Sequence, residues 1–76
     1  MWDEWQDEKQ ELYNAFYTND AEQVETVAKK ICNRYLETDA ERTAARGIIS
    51  EARKNDQLFK IISLAERVLR KYNSDL

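Results

Sequence analysis

Histidine and proline are absent from this chain, and glycine and cysteine occur once each, as Gly47 and Cys32. The loss of histidine removes the commonest general base and metal ligand. One cysteine can neither close an intramolecular disulfide nor build a zinc cluster. A lone glycine cannot furnish a phosphate-cradling loop, and no repeated acidic loop suits calcium. Sheets and irregular loops use proline and glycine in their turns, so this scarcity points to helices joined by short links. There is also no apolar run long enough for a membrane span, and no signal-peptide pattern opens the sequence. The expectation is a cytoplasmic protein with a reduced thiol.

What is present fits a small globule. Of 76 residues, 42% are apolar and 36% charged, a composition that folds rather than one that stays disordered. The length allows a single domain, 1–76, near the lower limit at which a core stands without staples. The strongest pattern lies in the last long run. Leu58, Ile61, Ile62, Ala65, Val68, Leu69 and Tyr72 recur at three- and four-residue steps, one face of a helix, with Lys60, Glu66, Arg67, Arg70 and Lys71 on the other side.

Three further helices precede it. Trp2, Trp5, Leu12 and Phe16 form a stripe that should end near Thr18 or Asn19, since asparagine tolerates the left-handed conformation of helix ends. Asn19-Asp20-Ala21-Glu22 and Thr38-Asp39-Ala40-Glu41 each place a capping side chain three residues before a glutamate, the mark of a helix start. Val24, Val27, Ala28, Ile31, Cys32 and Tyr35 give the second helix a wide apolar face. The third offers Ala40, Ala44, Ile48 and Ala52 at strict four-residue steps, flanked by Ala45 and Ile49. The spacing predicts an all-α fold, a small compact bundle of four short helices joined by tight turns, over 3–18, 20–36, 39–54 and 56–73. The expected core is Trp5, Leu12, Phe16, Val24, Val27, Ala28, Ile31, Tyr35, Ile48, Ile61, Ile62, Ala65, Val68 and Leu69. The first and last helices should supply most of it, and close packing at Gly47 would explain a glycine inside a helix.

Charge divides the chain. Residues 1–25 carry eight acids against one base, and residues 26–76 carry eleven bases against seven acids. One consequence is an acidic first helix that either meets a basic partner or is neutralised inside the bundle. Trp2, Trp5, Tyr13 and Tyr17 sit among its acids, and aromatic anchors ringed by charge are the chemistry of binding hot spots. Asp3, Glu4, Asp7, Glu8 and Glu11 would steer such a contact and an indole would fill a groove on the target. An alternative is nucleic-acid contact through a basic strip of Arg42, Arg46 and Arg53, extended by Lys60, Arg67, Arg70 and Lys71.

Catalysis by Asp, Glu, Lys or Tyr would need a pocket that excludes water, for which so small a helical domain has little room. The sequence therefore reads as a non-enzymatic protein with no cofactor and no metal. It fits a protein–protein interaction module, an inhibitor or regulator that covers a partner surface. Viral and mobile-element proteins acting on host machinery share this profile. The surplus of apolar face also points to a homodimer, with Tyr35, Leu58, Phe59 and Tyr72 at its seam.

Overall fold

A computed structural model describes residues 4–74, with Glu4 described by its backbone alone. Four helices follow one another: α1 (Glu4–Tyr17), α2 (Ala21–Tyr35), α3 (Asp39–Lys54) and α4 (Leu58–Ser74). No strand occurs among the described residues. The all-α bundle expected from the sequence is the observed fold, with each boundary within about two residues of the expected one.

The turns explain how a chain with one glycine reverses direction. Asn19 (φ 59°) and Asp56 (φ 57°) both adopt the left-handed conformation that glycine usually supplies. Behind Asn19, the amide of Asp20 donates to Ala15 O at 3.0 Å and that of Asn19 to Phe16 O at 3.1 Å. Behind Asp56, Gln57 N reaches Ala52 O at 2.8 Å and Asp56 N reaches Arg53 O at 3.2 Å. Both are Schellman closures, which satisfy the last carbonyls of α1 and α3. One expectation shifts by a residue: Asp20, not Asn19, caps α2, its carboxylate accepting from Gln23 N at 3.1 Å. Asn19 is occupied in closing α1. Thr38 caps α3 as expected, accepting from Glu41 N at 3.1 Å and donating its hydroxyl to Glu41 Oε1 at 2.9 Å.

α2 and α4 pack most extensively on each other, and α1 and α3 each pack against both without meeting among the described residues. The result is a flattened arrangement of 34 × 29 × 14 Å, whose thin dimension is two helices deep. The core is contributed mainly by α2 (Val24, Val27, Ala28, Ile31, Cys32) and α4 (Ile61, Ile62, Ala65, Val68, Leu69). This corrects the expectation that α1 and α4 would dominate. α1 fully buries only Leu12 and Ala15 of its apolar residues, and Trp5, Tyr13 and Phe16 lie half-buried along its edge. Tyr35 is likewise half-buried rather than enclosed.

α3 is rotated from the expected face. Ala45, Ile49 and Ala52 are buried, whereas Ile48 is 50% exposed and Ala40 and Ala44 are also exposed. A strict four-residue series advances about 40° around the helix at each step, so Ala40–Ala44–Ile48–Ala52 sweeps across Glu41 and Glu51. Burying that series would have carried two carboxylates inward. The observed face leaves both exposed and is bordered instead by the half-buried Arg42 and Arg53, whose stems cover its edge and whose Nε atoms are buried without a hydrogen-bond partner. Gly47 is consequently on the open side, where an added Cβ would meet nothing within 4 Å. Close packing at Gly47 is not its explanation.

Candidate functional site

Trp2 and Asp3 lie outside the described residues, as does the side chain of Glu4. The other candidates on α1 separate into two flanks. Glu8 turns inward: it is 4% exposed, accepts from the Tyr35 hydroxyl at 2.7 Å and lies 3.7 Å from the Arg34 guanidinium. Glu11 is exposed but faces Lys30 at 3.7 Å. Part of the acidity of α1 is therefore met by bases of α2 within the chain, and Glu8 is a structural carboxylate rather than a steering charge. Burial and the bond to Glu8 together hold the Tyr35 phenol well above its ordinary range. The Arg34 guanidinium stands over the Tyr35 ring at 5.7 Å.

The aromatic residues of α1 follow its opposite flank, against α4. Trp5 lines a small cleft with Lys9, Glu66, Leu69, Arg70 and Asn73, which fixes α1 and α4 as antiparallel neighbours. At the other end of the seam, Tyr17 is 76% exposed and stacks on Tyr13, ring centroids 6.1 Å apart and planes inclined at 24°. Phe16 adds a tilted contact to Tyr17 at 5.9 Å. Phe59 belongs to this end by register. It precedes Glu66, Arg70 and Asn73 by 7, 11 and 14 residues, so it shares their strip of α4 and stands level with the last turn of α1. It is 61% exposed. The sequence places Tyr13 and Tyr17 in the candidate partner site, and Phe59 at the expected homodimer seam.

The seven basic residues do not form one strip. Arg42 pairs with Asp39 at 2.6 Å and donates to Glu37 O at 3.2 Å, and Arg46 donates to Arg42 O at 3.4 Å. Arg42, Arg46 and Arg53 run along one side of α3 that takes no part in the α3–α4 groove. Arg67 and Lys71 border that groove, and Arg70 lies on the other flank of α4 beside Trp5. The seam expected for a homodimer is divided as well. Tyr35 and Tyr72 make a tilted contact at 4.4 Å at one end of the groove, Leu58 packs on the core, and exposed Phe59 lies outside the groove lining.

An apolar groove at the surface went unread in the sequence. Between α3 and α4 lies an open groove of about 500 Å³. Its floor is apolar, from Leu36, Ala44, Ile48, Leu64 and Val68. Glu37 and Glu41 stand on the α3 side, and Arg67 and Lys71 on the α4 side. Only the rotation of α3 creates it, because that rotation leaves Ala44 and Ile48 outside the core.

Among the described residues no group of three or more potential ligands could hold a metal ion, and no helix is long and apolar enough to cross a membrane. Cys32 is fully buried and its thiol is pushed up to about 11 by that burial, which makes it a small hydrophobe rather than a nucleophile. Compared with protein-family models, curated proteins and solved structures, the chain matches none of them.

Proposed function

We propose that this protein is a small non-enzymatic interaction module that binds another protein and covers part of its surface, as an inhibitor or regulator does. The observation that carries the reading is the aromatic end of the α1–α4 seam. There Tyr17 stands 76% exposed, held by the Tyr13 and Phe16 rings, with exposed Phe59 on the adjoining strip. Rigid aromatic side chains on helices lose little entropy when a partner covers them, and they concentrate binding energy. Of the acids on α1, Asp7 and Glu11 are on its exposed surface, and they supply steering toward a basic target rather than affinity.

The test is capture of partners from the source cell with the wild-type chain and with Tyr17→Ser and Phe59→Ser variants, each with and without nuclease. A stoichiometric protein retained by wild type, insensitive to nuclease and lost with either variant, supports the reading. Recovery of nucleic acid without a stoichiometric protein would overturn it, as would a partner that ignores both substitutions.

A further inference from the structure

The α3–α4 groove is separate from the aromatic end and faces the other flank of α4. We infer that it is the docking surface for a second copy of this chain, in a two-fold dimer whose axis runs along the groove.

The groove is complementary to itself. α3 and α4 are antiparallel, so the first turn of α3 and the last turns of α4 lie at the same end of the groove. That end carries Glu37 and Glu41 on one wall and Arg67 and Lys71 on the other. Among the described residues no ion pair crosses between these walls, and the apolar floor separates them.

A two-fold axis parallel to the helices lays the α3 wall of one copy on the α4 wall of the other, at the same height. Both acidic walls then meet basic walls, and Ile48 of each copy meets Leu64 of its neighbour. A two-fold axis perpendicular to the helices would instead lay α3 on α3 and forfeit every charge pairing. The chosen axis also keeps each α3 antiparallel to the α4 it meets, so the helix dipoles attract. A foreign helix would have to bring this same pattern of acids and bases at the same spacing. The chain already carries it.

The apolar part of the surface has the composition such a contact needs. Ile48 is 50% exposed without a covering neighbour, Leu36 and Leu64 are half-buried, and Ala44 is small enough to admit a helix closely. The polar rim flanks this strip, as at ordinary protein interfaces.

The experiment uses the full chain and two wall reversals. Glu37→Lys with Glu41→Gln makes the α3 wall basic and keeps a residue suited to the α3 capping pattern. Arg67→Glu with Lys71→Glu makes the α4 wall acidic. Sedimentation equilibrium from about 1 to 500 µM spans the range in which an interface of about 800 Å² per partner gives a measurable dimer. The wild-type chain should dimerise, each variant alone should associate at least about tenfold more weakly, and an equimolar mixture of the two should recover the dimer. Recovery follows because in the mixture each reversed wall meets one of opposite sign, whereas in either homodimer it meets its own sign. Ile48→Asp, at a half-exposed position, should abolish the dimer while the monomer keeps a single cooperative thermal transition. Tyr17→Ser should leave the dimer intact, which separates this inference from the proposed partner site. A wild-type chain that stays monomeric throughout overturns it. A dimer indifferent to both reversals does so too, as does a mixture no tighter than its components.

Discussion

Tyr35 donates its phenolic hydroxyl to Glu8 Oε1 at 2.7 Å and so ties the last turn of α2 to the middle of α1 across 27 residues of chain. Glu8 is the only charged side chain that is buried among the described residues, and its Oε2 has no hydrogen-bond partner. Tyr35→Phe leaves this carboxylate with the Arg34 guanidinium 3.7 Å away and no short bond to Oε1. The expected cost is about 1–3 kcal/mol, the range for stranding a buried polar group. Adding Glu8→Leu to Tyr35→Phe removes the stranded group and should recover most of the loss. Urea denaturation of both variants checks this, and equal losses in the single and double variants would show that the bond is not what matters.

Adjacent isoleucines on α3 offer a sharper comparison. Ile49 is fully buried and Ile48 is half-exposed in the groove. Ile49→Ala should cost about 2–5 kcal/mol through lost burial and a cavity, against about 0.5 kcal/mol or less for Ile48→Ala. Thermal melts at a concentration below any self-association give both values. Similar losses at the two positions would mean that α3 is rotated toward the face expected from the four-residue series.

That pair also marks where the sequence ran out. The stripe of α4 was legible because its apolar residues leave one face and no competitor. On α3 the doublets Ala44-Ala45 and Ile48-Ile49 offer two stripes about 100° apart, and periodicity alone does not choose between them. The choice turns on keeping Glu41 and Glu51 out of the core, a constraint visible only when charges are weighed together with apolar spacing. The groove was invisible for the same reason, since it exists only after α3 has turned. Glu8 looked like one solvated acid in an acidic run, because its partner Tyr35 lies on another helix and no local pattern links them. Tyr13 and Tyr17 were found, but the register that brings Phe59 level with them depends on α1 and α4 being antiparallel neighbours.

Gly47 provides a test of opposite sign. It lies inside α3, outside the groove lining, and an added Cβ would meet open space. Its backbone φ is not in the left-handed region. Nothing on the structure therefore requires glycine, and Gly47→Ala should stabilise the chain by about 0.5–1 kcal/mol by removing a helix penalty. The melting temperature should rise accordingly. A fall on substitution would reveal a close neighbour at this position in solution.

The last expectation concerns alkaline pH. Burial raises the Cys32 thiol from 9.0 to about 11, and it raises the Tyr35 phenol as well. For an acid whose folded-state pKa is raised, the native state holds its proton after the unfolded chain has released its own. Below about pH 9 both states are protonated and the full contribution is present. From about pH 9 to 11 the unfolded thiol ionises first, the unfolded state binds fewer protons, and stability falls with pH by up to about 1.4 kcal/mol per unit. Tyr35 extends the decline above about pH 10, the unfolded tyrosine value. Cys32→Ala should lower the baseline stability through the small cavity it leaves, yet flatten the slope between pH 9 and 10, where cysteine contributes most. Urea midpoints for both chains across pH 8 to 10.5 measure the two slopes. Parallel slopes would show that the native thiol ionises as readily as the unfolded one, and that Cys32 is more open to water than its packing among Val24, Val27, Ala28 and Ile31 of α2 implies.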